Sequence, residues 1–288
     1  MVGESRALAI PGRLLGDAAN TARTITMPTK QVHFESHPFL RMGKAPAKRD
    51  RRNIQLGYLL RMEKIRKSPT QWDFDADVAS APIPTPMFAN DRVGNCLIAS
   101  RAHMTLRFEV FSRGRLLDIP DAVVIDEYKR ELRRMANEKK RLHMLDSLKS
   151  WRKRGWNING KNYSIHAFAE IEPKLIEQVK TAVCHLHGIY TGLALPNCAY
   201  EQILRGKTWD IIPGPNGAAN PNHGHCVYIC GYTKTGPVCV TWGRKQSMTW
   251  RFFTACCDEA YAIVDKRDPF IKHSLVDLAQ LEGMLAKV

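Results

Sequence analysis

The stretch that most constrains the fold of this chain is residues 90–103, where a polar turn leads into an apolar pattern. Asn90, Gly94 and Asn95 are residue types that favour turns. The apolar residues that follow recur at helical spacing, which predicts a buried helix beginning at Cys96. Free N–H groups and the positive end of the helix dipole favour a thiolate at that position. Cys96 is therefore a candidate nucleophile, although a buried structural cysteine explains the same pattern.

The length and hydrophobic content set limits on the architecture. With 288 residues, 44% of them hydrophobic, the chain can form one large domain or two lobes. It contains no apolar run approaching the roughly 18 residues of a transmembrane helix, so we expect no membrane span. Residues 1–30 lack a continuous apolar stretch, and we therefore expect no secretory signal peptide.

The chain is strongly basic. Lys and Arg number 43 against 28 acidic residues, giving a net charge of +15. Such an excess suits nucleic acid, anionic surfaces or acidic partners. It is concentrated in residues 44–67 and 129–154, where basic side chains are equally well explained as solvated helix faces. The charge is thus compatible with nucleic-acid binding but does not by itself indicate it.

The eight cysteines predict reduced, mostly buried thiols rather than a disulfide framework, because the chain is long and lacks a signal. There is no Cys-x-x-Cys pair of the kind common in structural zinc sites. Cys226 and Cys230 would share one face of a strand, but the adjacent His225 would point to the other face. We therefore expect no metal site and no cofactor.

The periodicities divide the chain into a helix-rich first half and a strand-rich second half, which predicts an α+β fold. The helix from Cys96 is expected to end at Gly114, and further helical patterns begin at Pro120, Met144 and Pro173. Strands are expected at residues 163–169, 188–195, 225–232, 237–243 and 260–265, with a long loop at 206–224. Residues 1–40 are predicted to be loop, 41–70 to contain a short basic helix, and 80–87 to be a proline-rich linker.

A second strong signal lies far from Cys96, in the sequence Gly-His-Cys-Val-Tyr-Ile-Cys-Gly-Tyr at 224–232, which precedes Val-Thr-Trp-Gly at 240–243. A histidine at the head of a strand that faces a cleft can accept a proton from a thiol on the opposite lobe. This makes His225 the candidate general base for Cys96.

These motifs together resemble those of papain-like (C1-type) cysteine peptidases. In that family a Gly-x-Cys turn opens the central helix, and the catalytic histidine strand ends in Gly-Tyr. An Asn-Ser-Trp-Gly motif supplies the third catalytic residue. The corresponding segments here are 94–96, 225–232 and 241–243. The sequences Met-Thr-Trp at 248–250 and Asp-Glu-Ala-Tyr at 258–261 are similar to those of a divergent bacterial and phage group.

The resemblance implies a two-lobed fold, with a helical lobe at about 88–187 and an antiparallel β-sheet or barrel lobe at about 188–270. The domain would occupy residues 81–288, preceded by a basic and regulatory extension at 1–80. Cys96 would be the nucleophile and His225 the general base. Asn90 would supply the oxyanion-hole donor in place of a glutamine, and Trp242 and Thr241 would form a cleft wall.

One departure from the family leaves the activity open. Val240 stands where the family has the asparagine that orients the histidine, and its side chain cannot form a hydrogen bond. The orienting group could instead be Thr241, Asn222, Asp258 or Glu259. The site could also be a Cys–His dyad, or it could be inactive.

Two functions therefore remain. The first is a thiol-dependent hydrolase, most simply a peptidase acting on a peptide or protein substrate. The alternative is a catalytically silent protein of the same fold that serves as a basic structural or nucleic-acid-binding component, for example of a phage particle. A cytoplasmic or virion-associated location fits either.

Overall fold

The computed structural model describes residues 40–60, 67–79, 81–135, 141–266, 281 and 283. All of them lie in one compact unit, His37–Val288. The loop predicted for residues 1–40, apart from Leu40, lies outside the described residues. The same holds for Met62 and Ile65 of the predicted basic helix.

The described helices are α1 (Leu56–Leu59), α2 (Phe74–Val78), α3 (Cys96–Arg113), α4 (Asp121–Met135), α5 (Met144–Arg154), α6 (Ile176–His185), α7 (Asn197–Leu204) and α8 (Trp250–Cys256). The strands are β1 (Trp72–Asp73), β2 (Trp156–Ile158), β3 (Lys161–Tyr163), β4 (Ile165–Glu170), β5 (Ile189–Ala194), β6 (Gly224–Tyr232), β7 (Pro237–Thr241), β8 (Arg244–Ser247) and β9 (Cys257–Asp265). None of these helices combines the length and apolarity needed to cross a membrane.

Helix α3 begins and ends where the sequence predicts. Its first residue is Cys96, and Gly114 caps its C-terminus with φ = 62° while donating its N–H to Val110 O. A left-handed residue at this position satisfies a terminal carbonyl, and glycine adopts it without steric cost. Every residue from Cys96 to Val110 is buried, so α3 is the central helix of the fold.

The main sheet is antiparallel and open. Its strand order is β4-β9-β5-β6-β7-β8, and β1 also pairs with β6. Within the described residues the sheet does not close, so the predicted sheet is confirmed and the alternative of a barrel is not observed. The β2–β3 hairpin forms a separate two-stranded sheet.

The two faces of β6 contact different parts of the core. Cys226, Tyr228 and Cys230 belong to the apolar cluster that contains α3, whereas Val227 and Ile229 belong to the cluster around α6, α7 and α8. This follows from the period of two in a strand, which sends successive side chains to opposite faces. The packing of α3 on the first of these faces brings its N-terminal half beside the start of β6.

The described stretches 40–60 and 67–79, which the sequence analysis placed in the N-terminal extension, pack directly on this body. Strand β1 pairs with the end of β6. In α2, the buried Asp75 accepts two hydrogen bonds from Arg107 of α3, at 2.7 and 2.8 Å. Lys245 Nζ lies 2.9 Å from the same carboxylate. Removing either partner of such a buried pair would leave an uncompensated charge, so α2 and α3 stabilise each other's position.

One helix was not expected from the sequence, whereas a loop and the state of the cysteines agree with the predictions. Helix α7 follows Pro196 and was not predicted, because its eight residues are too few for a clear periodicity. The predicted loop at 206–224 is present up to the start of β6 at Gly224, and it contains a short 3₁₀ turn at Pro215–Gly217 and an isolated bridge from Trp209 to Met248. All eight cysteines lie in the described part of the chain and are free thiols, as predicted.

Candidate functional site

Cys96 lies at the first position of α3 and is fully buried. Burial raises the pKa of its thiol, while hydrogen bonds from the backbone of Cys226 and Gly43 and the positive charge of Lys44 oppose the shift. Cys226 directly follows His225 in β6. The hydrogen bond from Ser100 Oγ to Cys226 O, at 2.9 Å, fixes this end of α3 against β6. The fold thus brings the candidate nucleophile beside the strand that carries the candidate base.

The ring of His225 is fully buried and is held by one nitrogen. Its Nε2 lies 2.7 Å from Oγ1 of Thr241 on the neighbouring strand β7. Its Nδ1 is buried and has no hydrogen-bond partner among the described residues. Burial lowers the pKa of His225 to about 3, so the ring is neutral in this arrangement. Of the four orienting candidates, Thr241 is the one that contacts the ring.

Val240 lies on the opposite face of β7. It pairs with Tyr228 of β6 and is buried in the α3 cluster. The alternation of side chains along the strand therefore turns residue 240 away from His225 and residue 241 towards it. In this register the hydroxyl of Thr241 contacts the ring, whereas a side-chain amide at position 240 would face the α3 cluster.

Trp242 covers the other side of the histidine. Its ring stacks on that of His225, with centroids 3.9 Å apart and planes inclined by 15°. The backbone of Trp242 has φ = 41°, a left-handed conformation that non-glycine residues rarely adopt. This turn, continued by Gly243 at φ = 75°, folds the indole back over the strand. Trp242 thus packs directly on His225, and its role as a cleft wall stays a prediction.

Asn90 donates through its side-chain amide to two backbone carbonyls, those of Val93 and Arg41, both at 3.2 Å. The first bond fixes the amide within its own turn. The second is directed at a peptide group of another segment. The indole Nε1 of Trp242 donates to the same Arg41 carbonyl, also at 3.2 Å. Asn90 and Trp242 therefore hold a common acceptor in the site.

That acceptor belongs to a segment whose position the sequence did not reveal, Arg41–Ala45, which we call the crossing segment. Its Arg41 N–H donates to Asn90 O at 3.1 Å, and its Lys44 N–H donates to Gly224 O at 3.1 Å. It thus bridges the turn before Cys96 and the residue before His225. Neither the composition nor the periodicity of this basic stretch predicts such a position, because its partners are distant in sequence.

Glycines allow the crossing segment to lie this close. A Cβ on Gly43 would stand 1.6 Å from the carbonyl oxygen of Gly94, and a Cβ on Gly224 would stand 2.3 Å from that of Lys44. Side chains at these positions would exclude the segment.

The described residues contain no group of three or more histidine, cysteine or acidic side chains arranged to hold a metal ion.

No protein-family model matches this sequence, and no curated protein matches it either. Solved structures do match in shape. Xylellain, a cysteine protease from Xylella fastidiosa, aligns with a TM-score of 0.59 at 15% identity over 78% of this chain and 96% of its own.

Two further matches are of the same kind. Procathepsin L 3 of Tenebrio molitor aligns with a TM-score of 0.52 at 11% identity, covering 78% of this chain and 77% of its own. Procathepsin B S9 from Trypanosoma congolense aligns with a TM-score of 0.52 at 11% identity, covering 80% and 88%. At these identities the likeness shows the fold.

Proposed function

We propose, starting from the papain-like fold of this chain, that it is a thiol-dependent peptidase in which Cys96 is the nucleophile and His225 the proton acceptor. The observation that carries the proposal is the placement of His225. Thr241 holds its Nε2, Trp242 stacks on its ring, and its Nδ1 is left without a partner among the described residues. A nucleophile–base pair needs a base that a third group orients in this way.

In the proposed reaction, the Nε2–H of His225 donates to Thr241, which leaves the Nδ1 lone pair to take the proton of the Cys96 thiol. The thiolate sulphur attacks the carbonyl carbon of the substrate, and the carbonyl electron pair moves to its oxygen. The side-chain amide of Asn90 and the backbone N–H of Cys96 stabilise that oxyanion, each by about 3 kcal/mol. As the oxyanion collapses, the C–N bond breaks, His225 protonates the leaving amine and a thioester to Cys96 remains. Water then attacks the thioester, giving its proton to His225, and the acid and the free Cys96 thiol are released.

The crossing segment suggests how the proposed enzyme is regulated. While it covers the site, burial raises the pKa of Cys96 and lowers that of His225, so both groups are neutral. The thiolate–imidazolium pair that makes such a cysteine reactive needs a more polar environment. The N-terminal extension therefore acts as a regulatory element, and its displacement from the site activates the enzyme.

A thiol-directed electrophilic probe tests this function together with hydrolysis of a mixed peptide library. We expect selective labelling of Cys96 and peptide cleavage once the crossing segment is displaced, and loss of both in Cys96→Ala. Cys239→Ala is the matched control and should keep both labelling and cleavage. It removes a thiol on β7 that is as fully buried as that of Cys96. Unchanged cleavage in Cys96→Ala would contradict the proposal.

The second candidate is a catalytically silent protein of this fold. It is favoured by the complete burial of Cys96 and His225 and by the engagement of the Asn90 amide with two carbonyls. Equal, slow labelling of all eight thiols would support it. Steeply salt-dependent nucleic-acid binding would add to that support, since phosphate contacts release counterions. Nucleic-acid binding and a cytoplasmic or virion-associated location stay predictions.

A further inference from the structure

The crossing segment carries a lysine whose side chain is fully buried. Lys44 Nζ lies 2.8 Å from Asp258 Oδ2 and 3.0 Å from Glu259 Oε1, both at the start of β9. It also donates to Ala45 O at 3.0 Å. Burial acts to lower the pKa of Lys44, but the two carboxylates outweigh it and raise the pKa overall. The ammonium is therefore held as a cation in an acidic pocket.

One ammonium does not fully compensate two carboxylates. Burial raises the pKa of Glu259 even though Lys44 opposes this shift, and Glu259 Oε2 has Tyr261 OH as a neutral donor at 3.2 Å. Asp258 Oδ1 is buried without a hydrogen-bond partner among the described residues. A cation stabilises this arrangement, because the buried carboxylate of Glu259 and the partly exposed carboxylate of Asp258 repel each other when both are ionised.

The floor of the pocket is shaped for a long side chain. Gly192 lies in β5 opposite Glu259, and a Cβ on it would stand 2.2 Å from Lys44 Cε. A glycine in the interior of a strand costs stability and often marks the close approach of another group. Here the group that approaches is the methylene stem of Lys44.

The pocket also adjoins the candidate nucleophile. Gly43, the residue before Lys44, hydrogen-bonds through its backbone to the Cys96 thiol, and the Lys44 charge acts on the same thiol. A peptide that followed the same path would place its basic side chain one residue from the point of contact with Cys96. The crossing segment thus shows a route for a peptide backbone as well as an occupant for the pocket.

We propose that the Asp258–Glu259 pocket is a specificity site that receives a lysine or arginine side chain of the peptide substrate, and that Lys44 is its internal occupant in the covered state. This proposal rests on the proposed function, because it assigns the substrate class of the same site. The carboxylate pair recognises the charge, and Gly192 admits the stem.

The test uses the full chain carrying Lys44→Gly, so that its own side chain no longer fills the pocket, with the wild type in parallel. Sets of peptides are compared in which a single position carries Arg, Lys, norleucine or Glu and the rest of the sequence is constant. The variable position is moved along the peptide from set to set, and cleavage of each peptide is measured. At one position we expect Arg and Lys to exceed norleucine by about tenfold or more in kcat/KM, with Glu lowest. Glu259→Gln should reduce this preference, and Asp258→Asn with Glu259→Gln should abolish it.

Glu201→Gln is the matched control, because it removes an exposed carboxylate on α7 and should leave the preference unchanged. Binding of the same peptides to Cys96→Ala proteins is measured by fluorescence anisotropy, so that the pocket is tested even without cleavage. Binding with a basic preference but no cleavage would support the pocket and contradict the peptidase. Cleavage or binding without a preference for basic residues would overturn the proposed specificity site. A preference that survives the double substitution would also overturn it. So would the absence of any peptide binding to Cys96→Ala proteins with and without Lys44→Gly.

Discussion

The imidazole Nε2 of His225 lies 2.7 Å from the hydroxyl oxygen of Thr241, across the pairing of β6 with β7. This contact fixes the ring through the nitrogen that faces away from the proposed proton transfer. In the proposed mechanism, Thr241 therefore orients the base in place of residue 240.

Thr241→Val should remove this hydrogen bond while keeping the shape of the side chain. A neutral hydrogen bond is worth about 0.5–1.5 kcal/mol, so we expect kcat to fall roughly two- to tenfold. KM should change little, because Thr241 positions the base and does not touch substrate in the proposal. Steady-state kinetics on a cleaved peptide measure the effect. Thr241→Ser keeps the hydroxyl and should restore most of the rate; equal losses in both variants would argue against an orienting role.

Val240→Asn places an amide at the position where the papain-like peptidases that the sequence resembles have an asparagine, yet we do not expect it to raise kcat. The side chain of Val240 is fully buried in the α3 cluster and faces away from His225. An unpaired amide there should lower the free energy of unfolding by about 1–3 kcal/mol. Urea denaturation measures this change, with Val240→Ile as an apolar control. A gain in kcat would show that residue 240 can reach the ring.

Gly43→Ala should displace the crossing segment without altering a proposed catalytic group. The added Cβ would stand 1.6 Å from Gly94 O, and overpacking of this kind typically costs about 1–3 kcal/mol. We expect the rate of Cys96 labelling to rise roughly tenfold, because 1.4 kcal/mol corresponds to a factor of ten.

The control for this prediction is Gly57→Ala in α1, where the nearest atom to the new Cβ is Gln178 Nε2 at 3.4 Å. Unfolding midpoints of both variants are measured alongside the labelling rates. Faster labelling that merely follows a lowered midpoint in both variants would contradict the interpretation.

The buried histidine predicts loss of stability in acid. The pKa of His225 is about 3 when folded and lies near its ordinary 6.5 when unfolded, so between these values only the unfolded chain takes up the proton. Stability contributed by this group is complete above pH 6.5 and is lost progressively as the pH falls towards 3, by up to about 1.4 kcal/mol per pH unit.

Urea denaturation of the wild type and of His225→Gln at pH 7 and pH 5 tests this expectation. The variant should lose less stability than the wild type over the same interval. His223→Gln replaces a half-buried histidine two residues earlier and should behave like the wild type. Identical losses in all three proteins would mean that His225 is not buried as a neutral ring.

Local pattern was sufficient for most of the elements. The extent of α3 from Cys96 to its cap at Gly114 follows from helical spacing and a glycine stop, and β6 follows from a run bounded by turn residues. Helix α7 was missed because a segment so short has little periodicity, and because its burial depends on contacts with the loop at 206–224. The open sheet, rather than a barrel, depends on long-range strand pairing that no local pattern encodes.

The sequence by itself determined the residue types of the site: a cysteine at a helix start, a histidine at a strand start and a Thr-Trp-Gly turn. It could not choose among the four candidate orienting groups, because that choice depends on which side chains lie on the same face of the sheet as His225. In the tertiary structure Thr241 contacts the ring, Val240 packs in the core, and Gly43 and Lys44 lie across the candidate site. Those contacts join segments far apart in the chain, and only the packed fold brings their atoms within hydrogen-bonding distance.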